Sequence, residues 1–348
     1  MRRLPIYLVL DTSESMVGEP IQSVENGLSA MLTALRKDPY ALETAYLSVI
    51  TFGTSAKQIV PLTELTQFQM PKLILGSGTA LGKGLELLEQ RIKSEVQKST
   101  TEVKGDYKPL CFIFTDGEPT DSWQTAADRM MKNRNVQTIV VGSGQDVNLG
   151  VLRRISELVI LGKEANQETY AKFFKWVSAS VATASQQIDS TGNDAKISLD
   201  KLPVGNDIVV VDDNTPQQKI EPNRFVFMHN RCIKNKKFYL QKYVKGGGKS
   251  GGFFGLGKQD TYIADGAFPL DDFEELGKGG GVTVDAGLLD KPNPCPHCSN
   301  KIWGMCECGK THCCPEILQG GTVTLTCPWC GKTATYGYSS FSVGGGGG

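Results

Sequence analysis

Apolar runs of strand length alternate with helical periodicity over the first 190 residues, and this alternation constrains the fold more than any other feature. Leu4 to Leu10 and Leu110 to Phe114 are continuous apolar runs, the pattern of strands covered on both faces. Between them, Ile21, Val24, Leu28, Met31, Leu32 and Leu35 recur at helical spacing, and Leu81, Leu85, Leu88, Ile92 and Val96 do so again. Ala45 to Phe52 and Ala56 to Leu62 read as two strands joined by Gly53-Thr54-Ser55, too short for a crossover helix, so the second of them runs antiparallel. Val136 to Val141 and Leu158 to Leu161 complete six strands, and Phe173, Phe174, Trp176, Val177 and Val181 line a closing helix.

The architecture expected is α/β: a doubly wound, mostly parallel six-stranded sheet with helices on both faces. The first strand should be central, flanked by the second strand and the Leu110 strand. Their carboxyl ends then meet at the topological switch point, where such sheets bind ligands. A shift to Ala, Ser, Thr and Gln from Ser178, ending in Ser190-Thr191-Gly192-Asn193-Asp194, reads as a hinge. The expected domains are residues 1–195 and a β-rich 196–343, the latter with short strands near Ile208–Val211, Arg224–Met228 and Lys237–Val244.

The switch point receives a particular chemistry. Asp11-Thr12-Ser13-Glu14-Ser15 follows the first strand, Thr115-Asp116-Gly117 follows the Leu110 strand, and Gly76-Ser77-Gly78-Thr79-Ala80 opens a helix at the same edge. Asp11, Ser13, Ser15, Thr79 and Asp116 form an all-oxygen donor set, suited to a hard cation such as Mg²⁺, with Mn²⁺ or Ca²⁺ as alternatives. Two carboxylates balance one divalent charge and leave a coordination position for an outside anion. Asp11 and Ser13 also have a blander use as helix caps, and Glu14, Glu19 and Glu118 are expected to be solvated. No His occurs before His229 and the third position of the first turn is Ser13 rather than Asp, so the acid–base group of an aspartyl phosphatase is missing. Gly248-Lys249-Ser250 lacks the first Gly of a P-loop.

These three turns, in this order, resemble the metal-ion-dependent adhesion site of von Willebrand factor A domains. The resemblance covers roughly residues 1–190. It implies that Asp11, Ser13, Ser15, Thr79 and Asp116 are the ligands, that Thr79 and Asp116 bind through water in some states, and that the site docks a partner's carboxylate rather than catalysing a reaction.

Eight of the ten cysteines lie between Cys295 and Cys330. Cys295-Pro296-His297-Cys298 and Cys327-Pro328-Trp329-Cys330 are two C-P-x-C turns, whose paired thiolates are preorganised for tetrahedral Zn²⁺. The expectation is a four-cysteine ribbon from these two turns. Cys306, Cys308, Cys313 and His312 would make a second site, for one or two zinc ions in all. Cys314 is an alternative ligand or a free thiol, and Cys111 and Cys232 are expected to be buried thiols. The Gly-rich stretch 246–257 reads as a loop, and the lysines from Lys234 to Lys249 as a solvated face.

The pairing of the two motif sets resembles the TerY-type family of the tellurite-resistance group, over nearly the whole chain. That resemblance implies a bacterial, cytoplasmic protein associated with a protein kinase and a metal-dependent phosphatase in a stress response. The start, Met1-Arg2-Arg3, lacks a secretory signal, and no apolar run approaches the ~20 residues of a membrane span. Lys plus Arg and Asp plus Glu are both 37, so the net charge is zero, which weighs against nucleic acid or membrane surface as the partner. The expected function is non-enzymatic, metal-dependent protein binding. The alternatives are a nucleic-acid-binding zinc ribbon and a metal-dependent hydrolase.

Overall fold

The structure is a computed structural model. It describes residues 2–102, 104–116, 118–144, 147–191, 197, 202, 207–212, 214–217, 224–249, 259–274, 282–317, 321–337 and 342–345. The chain divides into two compact units, Met1–Ile220 and Glu221–Gly348.

The first unit contains β1 (Leu4–Asp11), α1 (Glu19–Leu35), α2 (Pro39–Thr44), β2 (Ala45–Phe52), β3 (Ala56–Glu64), β4 (Leu75–Gly76), α3 (Leu81–Glu95), β5 (Leu110–Thr115), α4 (Gln124–Lys132), β6 (Gln137–Ser143), α5 (Leu149–Ile155), β7 (Leu158–Gly162), α6 (Gln167–Thr191) and β8 (Ile208–Val210). Its main sheet has the order β3-β2-β1-β5-β6-β7-β8. β1 is central and parallel to both β2 and β5, and β3 is antiparallel to β2, as the short Gly53–Ser55 link requires. Every residue of β1 and of β5 is buried, which explains why both read as unbroken apolar runs.

Helices cover both faces. On one, Leu81, Leu85 and Leu88 of α3 and Leu149, Leu152 and Ile155 of α5 join Tyr7, Val9, Ile113 and Val140 in a single core. On the other, Phe174 of α6 stacks on Phe114 at 5.0 Å, and Trp176 meets Phe112 edge-on at 6.0 Å. α1 and α6 pack so closely that a Cβ on Gly27 would lie 2.2 Å from the Phe174 ring.

One turn has a second role, and the expected placement of one strand needs correction. Asp38-Pro39 ends α1 but also starts α2, because the Asp38 carboxylate caps Ala41 N–H at 2.9 Å and Pro39 fits the first helical turn. The Ile208–Val211 segment, placed by sequence in the second domain, supplies β8, the antiparallel edge of the first sheet. It satisfies backbone groups that β7 would otherwise present as an open edge, so the first unit extends beyond residue 195. The hinge at 192–194 lies outside the described residues, and α6 itself continues to Thr191.

The second unit is β-rich: β9 (Phe225–Arg231), β10 (Phe238–Lys249), β11 (Gln259–Leu270), β12 (Phe273–Glu274), β13 (Val282–Asp285), β14 (Ile302–Met305), β15 (Thr311–Cys314), β16 (Val323–Thr326), β17 (Thr333–Tyr336) and β18 (Ser342–Gly345). The order β11-β10-β9-β15-β14 makes its main sheet, while β16 and β17 form a separate hairpin. Of the Gly-rich stretch 246–257, expected to be a loop, residues 246–249 instead continue β10, and residues 250–257 lie outside the described residues. No helix among the described residues is long and apolar enough to cross a membrane.

Candidate functional site

The order β2-β1-β5 brings the carboxyl ends of β1 and β5 side by side, with Asp11 closing one strand and Asp116 following the other. The chain leaves β1 through a single 3₁₀ turn, Glu14–Met16, closed by Met16 N–H to the Ser13 carbonyl at 3.1 Å. This turn folds Ser13 and Ser15 back toward the sheet edge. The Asp11 carboxylate accepts Ser13 N–H at 2.9 Å and the Thr115 hydroxyl at 2.6 Å. The Ser13 and Ser15 hydroxyls lie 2.9 Å apart, and Ser15 donates to Asp116 Oδ1 at 2.9 Å. Ser13 stands at the N-cap position of the turn, yet its side chain makes no capping hydrogen bond.

The Thr79 loop is fastened over the same edge by backbone bonds. Gly76 N–H donates to the Thr12 carbonyl, and Ala80 N–H to the Gly53 carbonyl, both at 2.8 Å. Thr79 N–H donates to the Thr120 hydroxyl at 2.8 Å and its carbonyl accepts Thr120 N–H at 3.0 Å. Asp121 caps α3 by accepting Gly82 and Lys83 N–H at 2.9 Å each. Thr120 and Asp121 belong to the loop that carries Asp116, so the Thr79 loop and the Asp116 loop are mutually anchored. The path requires glycine: Gly78 has φ +76°, and a Cβ on Gly82 would sit 2.7 Å from the Ser122 carbonyl oxygen.

Asp11, Ser13 and Thr79 are fully buried, whereas Ser15 and Asp116 are half-buried. Burial pushes the Asp11 carboxyl above its usual range, against hydrogen bonds from Ser13 and Thr115 that favour the anion. Beneath, the Tyr170 hydroxyl pairs with Ser143 at 2.6 Å; burial first, and then the charge of Asp116, raise its pKa. The Thr79 hydroxyl is completely buried and has no hydrogen-bond partner among the described residues. Burying such a group without a partner costs about 1–3 kcal/mol. A cation would relieve both strains at once, by accepting the Thr79 lone pair and neutralising the Asp11 carboxylate. The donor set of two carboxylates and three hydroxyls thus fits a hard divalent ion. Glu14 departs from expectation: it is buried rather than solvated, because the 3₁₀ turn faces it inward. Glu118 is tied to Asn148 Nδ2 at 2.8 Å.

In the second unit, eight thiols form two tetrads, each with all its sulfurs within 4.8 Å of one another: Cys232, Cys295, Cys298 and Cys313, and Cys306, Cys308, Cys327 and Cys330. Sulfur–sulfur separations of 3.5 Å (Cys298–Cys313), 3.7 Å (Cys306–Cys330) and 3.9 Å (Cys308–Cys327) far exceed the ~2.05 Å of a disulfide. They agree with the ~3.8 Å edge of a tetrahedron built on Zn–S bonds of ~2.3 Å.

Tight turns present these sulfurs. Cys295, Cys306 and Cys327 N–H donate to the carbonyls of Asn300, Lys310 and Lys332, and Cys232 N–H to that of Lys237, at 2.8–2.9 Å. Each turn closes through one left-handed residue: Ser299, Gly309, Gly331 and Lys236. In the first tetrad, hydrogen bonding from Cys313 holds the Cys295 thiol down at about 5, and the same contact with burial pushes Cys313 up. In the second, burial is outweighed at Cys306, which sits at about 7 through hydrogen bonds from Cys308 N–H and the other three sulfurs, while burial drives Cys308 to about 12. Within each tetrad the thiols compete for negative charge, which a divalent cation would balance.

The expected pairing of the two C-P-x-C turns into one ribbon is therefore wrong. Cys295 and Cys298 join Cys313 and Cys232, whereas Cys327 and Cys330 join Cys306 and Cys308. The β14–β15 hairpin explains this, since its tip carries Cys306 and Cys308 and its open end delivers Cys313. β15 runs parallel to β9 with His312 beside Arg231, so Cys313 comes alongside Cys232 at the end of β9. Cys232 is thus a member of the tetrad rather than a core thiol, and its signal was a turn sequence, Ile233-Lys234-Asn235-Lys236, directly after it. His312 belongs to neither tetrad. Strand alternation turns it away from Cys313, toward the Tyr336 ring at 4.9 Å, with Nδ1 bonded to the Cys313 carbonyl at 3.0 Å. Cys314 alternates away likewise and is buried outside both tetrads, its thiol pushed up to about 11 by burial. Cys111 is buried in β5 as expected.

A model of the von Willebrand factor type A domain matches residues 6–180, and a model of the TerY-C metal binding domain matches residues 222–348. Similar solved structures include proximal thread matrix protein 1 from the mussel byssus with a zinc-occupied MIDAS motif (18% identity, 52% of this chain and 48% of that chain, TM-score 0.39). The ArnB paralog VWA2 from Sulfolobus acidocaldarius is another (11% identity, 79% and 67%, TM-score 0.38). A third is the SpRpn10 VWA domain (11% identity, 50% and 95%, TM-score 0.35). The chain spans about half the length of the mussel byssus proteins it matches. No curated protein matches it.

Proposed function

The chain belongs to the von Willebrand factor type A domain family, with a TerY-C metal binding domain behind it, and from that premise we propose that it is a metal-dependent adaptor that binds another protein. Asp11, Ser13 and Ser15 would hold a hard divalent cation, Mg²⁺ or in its place Mn²⁺ or Ca²⁺, with Thr79 and Asp116 completing the donor set. The remaining position accepts an Asp or Glu carboxylate of the partner. The two thiol tetrads hold Zn²⁺ and stiffen the second unit, which has small core clusters of its own. In this reading the protein catalyses nothing itself. Its resemblance to TerY-type proteins supports a cytoplasmic place in a bacterial tellurite or chemical-stress response, with a protein kinase and a metal-dependent phosphatase as partners.

One observation carries the reading: the completely buried, unpartnered Thr79 hydroxyl, fastened to the loop of Asp116 at the edge where Asp11, Ser13 and Ser15 converge. The test is capture of partners from cell lysate by the full chain in Mg²⁺, in chelator, and by Asp11→Ala in Mg²⁺. A partner lost in the last two arms supports the proposal; one retained in all three contradicts it. The Asp11→Ala arm leaves zinc in place, which separates this site from the tetrads.

A further inference from the structure

The two tetrads differ in a way that matters for reactivity. In the first, Cys232, Cys295 and Cys313 are buried and Cys298 is half-buried. Cys313 Sγ also accepts Ile233 N–H at 3.3 Å and the Asn300 side-chain amide at 3.5 Å, which hold the sulfur in place. This tetrad sits in a small core with Tyr239, Ile233 and Ala267. In the second, Cys306 and Cys327 are buried but Cys308 and Cys330 are exposed. Each exposed cysteine has a buried one beside it: Cys330 Sγ lies 3.7 Å from Cys306 Sγ, and Cys308 Sγ lies 3.9 Å from Cys327 Sγ.

The second tetrad also joins two hairpins. It links the tip of β14–β15 to the β16–β17 hairpin, whose strands pair, among the described residues, only with each other. No residue of either strand is fully buried. An isolated two-stranded hairpin is marginal in water, so its position depends on Cys327 and Cys330 together with packing of Trp329 on Phe238 and Arg231, of Tyr336 on His312, and the bond from Trp329 Nε1 to the Thr311 carbonyl at 2.7 Å.

We propose that the Cys306/Cys308/Cys327/Cys330 centre is an oxidant-releasable metal site, with Cys308 and Cys330 as the points of attack, while the Cys232/Cys295/Cys298/Cys313 centre is a permanent structural one. The inference rests on the reading of both tetrads as zinc centres. With a peroxide as oxidant, an exposed thiolate attacks the peroxide oxygen, the O–O bond breaks and hydroxide leaves, giving a sulfenic acid. The buried neighbour's thiolate then attacks that sulfur, a second hydroxide leaves, and a Cys330–Cys306 or Cys308–Cys327 disulfide forms. One peroxide is reduced by two electrons and two thiolates are oxidised. A centre that has lost two of four donors no longer retains its cation, and the β16–β17 hairpin loses one of its anchors. The first centre, with three of its four cysteines buried and Cys298 half-buried, offers a narrower point of entry.

The experiment uses the full chain, loaded with zinc and freed of excess metal. Zinc per chain is measured first by elemental analysis. Hydrogen peroxide is then added, released zinc is followed with a chromogenic chelator, and modified cysteines are located by peptide mass mapping. The expected result is two zinc ions at the start, loss of one, and oxidation confined to Cys306, Cys308, Cys327 and Cys330. Release of both ions together, or oxidation beginning at Cys295, Cys298 or Cys313, would overturn the proposal. Fewer than two zinc ions at the start would instead strike the underlying reading of the tetrads. A Cys308→Ser, Cys330→Ser double variant supplies a second check: it should hold one zinc ion and resist peroxide, and release of that ion at the wild-type rate would overturn the proposal.

Discussion

Asp11→Asn separates the metal site from the fold that carries it. Asp11 is completely buried and its folded pKa is raised, chiefly by burial. Its contribution to metal-free stability is therefore fully present below its unfolded pKa of about 4 and is lost as pH rises through the raised folded value. At neutral pH without metal, the asparagine variant should match or exceed wild type. Divalent metal reverses the order. A ligand at a hundredfold its Kd stabilises the folded state by about 2.7 kcal/mol. The first unit, Met1–Ile220, falls in the size class where 1 kcal/mol moves Tm by about 2–4 °C. Saturating Mg²⁺ should thus raise the wild-type Tm by about 5–10 °C and leave Asp11→Asn unmoved. Calorimetry of the full chain in metal-depleted buffer, with and without Mg²⁺, makes the comparison without a chelator that would strip the tetrads. Equal gains for both proteins would refute the assignment of Asp11 as a ligand.

Two further outcomes follow from the geometry. Thr79→Val removes a buried hydroxyl that has no partner among the described residues, so metal-free stability should hold or rise slightly while the Mg²⁺-induced gain in Tm shrinks, both read in the same calorimeter. Cys232→Ser should lower the zinc content by one ion per chain, whereas Cys314→Ser should leave it unchanged; elemental analysis of the purified variants decides, and a normal zinc content in Cys232→Ser would contradict its place in the first tetrad.

The sheet was legible because β1 and β5 are buried on both faces, a condition that leaves continuous apolar runs in sequence. Their adjacency then follows from chain connectivity, and with it the meeting of Asp11 and Asp116. β8 was harder to place, since a three-residue apolar segment carries no information about which sheet edge it will complete. The tetrads were legible as ligand types and turns but not as partnerships. A C-P-x-C turn fixes that its own two sulfurs share an ion, while the second pair depends on strand register, here of β15 against β9 and β14. Cys232 lies 63 residues before Cys295, and nothing local ties the two together. Glu14 read as solvated because a charged residue in a turn usually is; the 3₁₀ turn after β1 faces it inward instead.

The central claim is that one hard cation sits among Asp11, Ser13, Ser15, Thr79 and Asp116. Anomalous diffraction from crystals of the full chain grown with Mn²⁺ addresses it directly. A manganese peak within direct bonding distance of the Asp11, Ser13 and Ser15 oxygens is the predicted result. An ordered edge with the same five side chains and no peak among them would contradict the account.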